Sequence, residues 1–251
     1  MYHSISERTD PHAFPYYRII THPAIFEKHL RFLQENKYTV VPVFAFLNNS
    51  NSEALIDKKR VAITFDDGYK DFYTNAFPLL KKYNYPATVF LPASFIGNSR
   101  ELLPGVPHLT WEEIIELKNN GITFGSHSMS HSNLVLLNKE QLKEELEKSK
   151  YVIEEKLNSA IDGFSFPFAF PAENRAFVRM LKQLLESTGY SHCVTTRNGV
   201  ALTGDDPFLL RRLPVNSFDD ERFFKAKLEG GYNWVRLPQE IFKLLKLRLE
   251  I

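Results

Sequence analysis

Residues 60–69 of this 251-residue chain read RVAITFDDGY, a strand-like run followed by two adjacent acids. The run Arg60–Phe65 is apolar and rich in β-branched residues, which is typical of a buried strand. Asp66 and Asp67 come where the run ends, and Gly68 permits a sharp turn. Because neighbouring carboxylates repel each other, the pair fits either an exposed loop tip or a site where one acid binds a metal and the other moves a proton.

Similar runs recur along the chain and alternate with helical patterns. The alternation predicts parallel strands with helices outside them, and seven or eight units in 251 residues favour an α/β fold of the distorted (β/α)7-type barrel class over an open sheet. We see no internal boundary and expect a single domain over residues 1–251. The predicted strands are Tyr38–Val43, Arg60–Phe65, Pro86–Leu91, Gly121–Ser126, Gly163–Phe168, Tyr190–Thr196 and Leu210–Val215, with the opening residues MYHSI as an eighth candidate.

Start and stop signals predict four helices. Thr110 followed by Glu113 has the pattern of a capping box, and Pro23 stands at a first-turn position where its missing N–H is harmless. The predicted helices span Pro23–Asn36, the residues between Thr110 and Gly121, Asn138 to about Leu157, and about Glu173 to Ser187 with Gly189 as the stop.

Composition and charge describe an ordinary soluble globular protein. The net charge is +1, so the chain gives no reason to expect a nucleic-acid partner. The single cysteine, Cys193, excludes an intramolecular disulfide. The opening MYHSISERTD lacks the basic and apolar regions of a signal peptide. We therefore expect a cytoplasmic protein, or a periplasmic or extracellular one if a leader has been removed.

A second cluster of polar residues follows the predicted strand Gly121–Ser126. His127 and His131 stand four residues apart in GSHSMSH, and both imidazoles share one face if the segment is helical. The carboxyl ends of barrel strands meet at one end of the barrel, so an acid that follows the earlier strand Arg60–Phe65 can lie beside the two histidines. Two histidines and one carboxylate leave coordination positions open, as in a catalytic zinc site or a non-haem iron oxygenase.

Calcium fits these side chains poorly. A calcium loop that starts at Asp66 or Asp67 needs a glutamate at its twelfth position, where the chain has Phe77 or Pro78. Zinc would lower the pKa of a bound water to about 7 and polarise a carbonyl. We therefore interpret Asp67 as a metal ligand and Asp66 as the base, since the metal's charge lowers the cost of holding two acids together.

Three of these stretches resemble the motifs of the polysaccharide deacetylase family, also called the NodB-homology or carbohydrate esterase family 4 fold. TFDDGY (64–69), SHSMSH (126–131) and FSFPF (164–168) are similar to its first three motifs, and the resemblance covers residues 60–215. It implies a zinc cofactor, with cobalt or nickel as alternatives. It also implies the site residues: Asp66 as base, Asp67, His127 and His131 as ligands, the Phe168 backbone N–H as oxyanion donor, and Tyr69 and Pro167 as substrate-binding residues.

The chain departs from the family pattern at two places. Ser165 stands where the third motif usually carries the arginine that orients the base; Arg211 or Arg212 could replace it, and we also assign Arg212 to substrate binding. The closing Leu-x-His motif is missing after His192. The opening MYHSIS instead resembles the Tyr-His segment of the branch that deacetylates poly-N-acetylglucosamine, which implies His3 as the general acid. The alternative is a frayed terminal histidine.

The resemblance implies hydrolysis of N-acetyl groups on an amino-sugar polymer or oligomer, with Trp111 stacking on a sugar ring. Three alternatives remain: a deacylase of a small or lipid-linked amino sugar, an iron oxygenase, whose usual jelly-roll fold the alternating helices disfavour, and a non-catalytic carbohydrate-binding relic. A possible amphipathic helix at residues 238–251 could lie on an anionic membrane surface, or pack against the barrel or a second subunit.

Overall fold

The computed structural model describes residues 1–8, 18–47, 59–202 and 204–231. Its strands are β1 (Ser4–Ile5), β2 (Ile20–Thr21), β3 (Thr39–Val40), β4 (Arg60–Val61), β5 (Thr64–Phe65), β6 (Thr88–Leu91), β7 (Thr123–Ser126), β8 (Gly163–Ser165), β9 (His192–Asn198) and β10 (Leu210–Arg212). Its α-helices are α1 (Pro23–Glu35), α2 (Val43–Leu47), α3 (Phe77–Tyr83), α4 (Trp111–Asn119), α5 (Lys139–Leu157), α6 (Arg175–Thr188) and α7 (Glu221–Leu228). Within these ranges, no helix has the length and apolar character needed to cross a membrane.

Six strands form one parallel sheet in the order β10-β9-β8-β7-β6-β5. Neighbours in the sheet follow each other in sequence, and helices α3 to α6 connect several of the pairs. This order is that of a curled half-barrel, and it confirms the expected α/β class with a distorted barrel. The carboxyl ends of all six strands point to the same side, so the residues that follow β5, β7 and β8 meet there.

The first residues of the chain lie between the two edges of this sheet. Tyr2 forms a parallel bridge with Phe65, in which its N–H donates to the Thr64 carbonyl at 2.8 Å. On the other side, the Val215 N–H donates to the Met1 carbonyl at 3.0 Å. An open sheet edge leaves backbone groups unpaired, and this segment pairs part of both edges. The eighth candidate strand is thus present as the bridge at Tyr2 followed by β1.

Helix signals in the sequence are confirmed to within two or three residues. The Thr110 hydroxyl accepts from the Glu113 N–H at 3.3 Å and the Glu113 carboxylate accepts from the Thr110 N–H at 2.9 Å, which is a capping box at the start of α4. Asn138 and Gln141 form a second capping box on α5. Gly189 ends α6 in the left-handed region, at φ +83°.

Several predicted strands are shorter than expected. The run Gly163–Phe168 is a strand only to Ser165, because Pro167 has no N–H to donate and Phe168 leaves the β region at φ +58°. The run Tyr38–Val43 keeps only β3, since α2 starts at Val43. The possible helix at 238–251 lies outside the described residues.

Candidate metal centre and active site

Asp67, His127 and His131 converge at the carboxyl end of the sheet. Each offers one ligand atom, and the three atoms lie within 4.8 Å of one another. The Asp67 Oδ1 is 3.4 Å from the His127 Nε2 and 3.3 Å from the His131 Nε2. Both Asp67 and His127 are almost fully buried and His131 is partly buried, so little water reaches the polar atoms of Asp67 and His127.

The turn after β5 aims Asp67 into this cluster. Asp67 and Gly68 both adopt the left-handed region, at φ +70° and +60°. A Cβ at Gly68 would lie 2.9 Å from the Leu91 Cδ2, so a larger residue would have to move that side chain as well as adopt a left-handed backbone. The Leu109 N–H donates to the Gly68 carbonyl at 2.9 Å, which ties the turn to the segment before α4.

The segment from His127 to His131 is a loop, and the helix considered for it is wrong. Ser128 and His131 adopt the left-handed region at φ +65° and +53°, which costs about 1–2 kcal/mol per non-glycine residue. The two turns bring the imidazoles together, with ring centroids 4.9 Å apart. The two histidines therefore reach one site as the spacing predicted, but through a loop with two left-handed residues and not through a helical turn.

The hydrogen bond of His127 fixes which nitrogen faces the cluster. Its Nδ1 lies 2.7 Å from the Ser165 carbonyl, which can only accept, so Nδ1 carries the proton. The Nε2 of a neutral His127 then directs a lone pair at Asp67. Such an outer hydrogen bond is the usual partner of a metal-binding imidazole.

A divalent cation fits this donor set. The Asp67 Oδ1 is buried without a hydrogen-bond partner among the described residues, so neither histidine contact has hydrogen-bond geometry. Burial alone would raise the pKa of Asp67, but its contacts with His127 and His131 hold that pKa well below its ordinary value. A buried carboxylate oxygen without a partner is costly, and a cation between it and the two Nε2 atoms would supply the missing partner.

Asp66 faces a different partner, Arg212 at the end of β10. The guanidinium donates to both carboxylate oxygens, from NH1 to Oδ1 at 2.8 Å and from NH2 to Oδ2 at 2.7 Å. Burial alone would raise the pKa of Asp66, but the charges of Arg212 and His127 lower it to about 2. Ser165, at the place of the usual arginine, accepts from the Arg212 NH2 at 2.9 Å.

This pairing bears on two of the assignments made from the sequence. Arg212 is only 7% exposed and both of its terminal nitrogens donate to Asp66, whereas its assignment to substrate binding stays a prediction. Of the two arginines considered as the base's partner, Arg212 takes the position, whereas Arg211 pairs with Asp205 at 2.9 Å.

His3 lies beside both acids. The Asp66 N–H donates to the Tyr2 carbonyl at 3.0 Å, so the pairing of the first residues with β5 places His3 at the carboxyl end of the sheet. Burial lowers the pKa of His3, and the negative charges of Asp67 and Asp66 oppose that shift. The Tyr2 ring occupies the interior instead, where its hydroxyl lies 3.1 Å from the His29 Nδ1.

The predicted oxyanion donor and the residues predicted to bind substrate differ in their exposure. Phe168 is 51% exposed, and its ring centroid lies 4.7 Å from that of His131, so it borders the cluster. Tyr69 and Pro167 are buried, and their assignment to substrate binding stays a prediction. Trp111 is half-buried and packs against the hydrophobic core, close to Gly97.

Sequence reasoning missed two residues that hold this site. The Ser165 carbonyl orients His127, although the motif pattern marks Ser165 only as the place of a missing arginine. Glu145 on α5 accepts hydrogen bonds from the loop of the histidines. No sequence signal separates Glu145 from the other glutamates of that helix.

Comparisons with known proteins agree with this geometry. Residues 56–190 match the family described as polysaccharide deacetylase. YxkH of Bacillus subtilis (strain 168), whose name places it among the polysaccharide deacetylases, is 32% identical over 206 residues, covering 82% of this chain and 69% of YxkH. The poly-β-1,6-N-acetyl-D-glucosamine N-deacetylase of Staphylococcus aureus (strain MRSA252) is 29% identical over 120 residues, covering 47% of this chain and 40% of that enzyme.

The fold also occurs in solved structures. The Streptococcus pyogenes deacetylase PplD, solved in complex with acetate, superposes with a TM-score of 0.75 over 90% of this chain and 95% of PplD, at 23% identity. At that identity the likeness concerns the fold alone. The matched residues 56–190 contain the turn of Asp66 and Asp67 and both histidines of the cluster. The chain therefore belongs to the polysaccharide deacetylase family, hydrolases that act on carbon–nitrogen bonds.

Proposed function

We propose that this chain is a metal-dependent hydrolase that removes N-acetyl groups from the amino sugars of a polysaccharide. The observation that carries the proposal is the buried Asp67 oxygen, which faces two imidazole nitrogens and has no hydrogen-bond partner among the described residues. A second acid held by an arginine lies directly beside it. The similarity to a poly-N-acetylglucosamine deacetylase supports an N-acetylglucosamine polymer as the substrate class.

Asp67, His127 and His131 would hold the metal, with zinc as the first candidate and cobalt or nickel as alternatives. When bound, such an ion acts as a Lewis acid toward the acetyl carbonyl and lowers the pKa of a water to about 7. Asp66 accepts the proton of the attacking water. A carboxylate with a pKa of about 2 is a weak base, so it can take a proton only from a water whose own pKa has been lowered.

Two further groups act on the substrate. The backbone N–H of Phe168 donates to the acetyl oxygen as negative charge develops there. His3 donates a proton to the sugar nitrogen while the carbon–nitrogen bond breaks, so that acetate leaves and a free amine remains. A lowered pKa makes the protonated form of His3 a stronger acid.

The pairing of Asp66 with Arg212 weighs against a non-catalytic relic. The missing arginine of the third motif was the one sequence feature that kept that alternative open. In this chain a guanidinium reaches the base from β10 instead, with both carboxylate oxygens bound.

The proposal is tested by acetate release from poly-N-acetylglucosamine, chitin oligomers and peptidoglycan fragments. We expect release with zinc or cobalt, loss of release with a chelator, and recovery when metal is returned. Release from the monosaccharide alone would redirect the proposal to a small amino sugar. No release from any of these substrates in the presence of bound zinc would overturn it.

The adjacent acids provide a matched pair of variants. Asp66→Asn should keep the metal and lower turnover by roughly 10²–10⁴-fold, as expected for loss of an acid–base group. Asp67→Asn should lose the metal together with the activity, because it removes the only negatively charged one of the three ligands. Metal content and acetate release, measured on the same preparations, separate the two roles; equal metal loss in both variants would contradict the assignment.

A further inference from the structure

The loop that carries both histidines presents a row of backbone donors to helix α5. Ser128 adopts φ +65°, and the next two residues point their N–H groups the same way. Successive N–H groups after a left-handed residue form a concave site for an anion. In this protein the anion is a side chain of the same chain.

Glu145 occupies that concave site, and both of its carboxylate oxygens accept hydrogen bonds from the loop. Its Oε2 accepts from the Met129 and Ser130 N–H groups, both at 2.9 Å. Its Oε1 accepts from the Ser130 hydroxyl at 2.6 Å. Hydrogen bonds to a charged acceptor are stronger than neutral ones, so this carboxylate holds the middle of the loop firmly.

Helix α5 contacts the loop a second time, one helical turn further on. Ser149 is four residues after Glu145 and lies on the same face of the helix. The Ser126 hydroxyl donates to the Ser149 Oγ at 2.7 Å, immediately before His127. The helix therefore fixes both the start of the loop and the residues just before His131.

The turn after β6 binds the opposite side of the same loop. The Ala93 N–H donates to the Ser128 carbonyl at 3.2 Å, and the Ser94 N–H donates to the Met129 carbonyl at 2.9 Å. Two carbonyl groups of the loop are thus held by the turn after β6, and two of its N–H groups are held by Glu145, while the His131 N–H donates to the Ser128 hydroxyl at 3.0 Å. Without Glu145, the N–H side loses its charged partner.

We propose that Glu145 is a positioning residue for the metal site, which sets the place of the His131 imidazole through its hold on Met129 and Ser130. His131 follows Ser130 directly and depends on φ +53° to direct its Nε2 at Asp67. Removing the carboxylate lets the loop relax, and the third ligand moves away from the other two. The inference rests on the proposed function, since it takes the cluster of Asp67, His127 and His131 as a metal site.

The test compares the Zn²⁺ affinity of Glu145→Ala with that of the unaltered protein, by competition with a chelator and without any substrate. We expect affinity to fall by roughly 10–100-fold, the usual effect of losing a partner behind the ligands. Glu145→Gln should lie between the two, because its amide can still accept from the backbone and donate to the Ser130 hydroxyl. The absorption spectrum of the Co²⁺-loaded variant should also change, as the ligand geometry changes.

Glu144→Ala is the matched control. It removes the same charge from the same helix, one residue earlier, where the carboxylate is exposed and pairs with Lys148. Its Zn²⁺ affinity should stay within about twofold of the unaltered protein, since a surface pair contributes little. Thermal unfolding of the metal-free variants reports whether the fold is kept.

The outcomes separate this inference from the proposed function. Unchanged Zn²⁺ affinity and Co²⁺ spectrum in Glu145→Ala overturn the inference and leave the proposed function standing. Weaker binding in Glu145→Ala, in a protein that binds zinc but releases no acetate, supports the inference and overturns the function. An unaltered protein that binds no divalent metal overturns both.

Discussion

At Asp66 the chain buries one carboxylate beside another, and the Arg212 guanidinium compensates the charge. Asp66 is 2% exposed and Arg212 is 7% exposed, so water contributes little to either. The planar fork of arginine matches a carboxylate with two parallel hydrogen bonds. A buried pair of this kind contributes little net stability, but removal of one partner leaves an uncompensated charge.

Replacing Arg212 should therefore destabilise the protein strongly. We expect Arg212→Met to lower the free energy of unfolding by about 3–5 kcal/mol, measured by denaturant titration of the metal-free protein. The neighbouring Arg211→Met is the control, because that arginine pairs with a partly exposed Asp205 and should cost less than about 1 kcal/mol. Equal losses in the two variants would show that Arg212 does not compensate a buried charge.

The low pKa of Asp66 also predicts how stability depends on pH. The folded state holds this pKa at about 2, below its ordinary value of 3.8. A depressed pKa stabilises the fold above the ordinary value, and the contribution of about 2 kcal/mol is lost as the pH falls from 3.8 through 2. Metal-free protein and its Asp66→Asn variant, unfolded at a series of pH values, should differ in slope across this window. Parallel curves would contradict the prediction.

At the scale of elements, the segment Met1–Ile5 places the His3 side chain at the carboxyl end of the sheet and the side chains on either side of it in the interior. Its backbone pairs with β5 through the Thr64 carbonyl and the Asp66 N–H. Successive side chains of a strand point to opposite faces, so His3 faces the acids while Tyr2 and Ser4 face the core. The segment therefore combines a structural role with the chemical role that we propose for His3.

His3→Gln should separate these two roles. The backbone pairing does not depend on the imidazole, so we expect an unchanged melting temperature and unchanged metal content. Acetate release should fall by roughly 10²–10⁴-fold, because the leaving amine loses its proton donor. His22→Gln, at the start of α1, is a control for loss of an imidazole elsewhere. Full activity of His3→Gln would end the assignment of this residue as the acid.

At the scale of the whole molecule, Tyr2 connects the two edges of the sheet with helix α1 and the segment before α7. Its ring stacks on Phe65 with centroids 5.4 Å apart, and its hydroxyl donates to the His29 Nδ1. The His29 Nε2 donates to the Asp219 carbonyl at 2.6 Å. The barrel thus closes through a buried chain of contacts between residues far apart in sequence.

Tyr2→Phe keeps the ring and removes only the hydroxyl from this chain. The His29 Nδ1 then loses its donor inside the core, which should lower the free energy of unfolding by about 1–3 kcal/mol. Tyr151→Phe, 68% exposed on α5, should change it by less than about 0.5 kcal/mol. The comparison uses urea titrations of both variants. A loss in Tyr2→Phe no larger than that of the surface control would mean that the hydroxyl does not help to close the barrel.

Local signals in the sequence were sufficient to predict the fold class and most of the helix positions. Strand runs, caps such as Thr110 and the stop at Gly189 depend on near neighbours, so the α/β class and the helix positions followed from the pattern. The same holds for the grouping of Asp67 with His127 and His131, because residues that follow parallel strands meet at one end of the barrel.

Only the tertiary structure decided which distant groups meet. Arg212 reaches Asp66 from 146 residues away, and Glu145 holds the histidine loop although α5 contains other glutamates. Strand order and register place such partners, and neither leaves a mark in the local sequence. The backbone of the histidine loop is decided in the same way, because contacts with α5 and with the turn after β6 stabilise left-handed residues that local propensity alone disfavours.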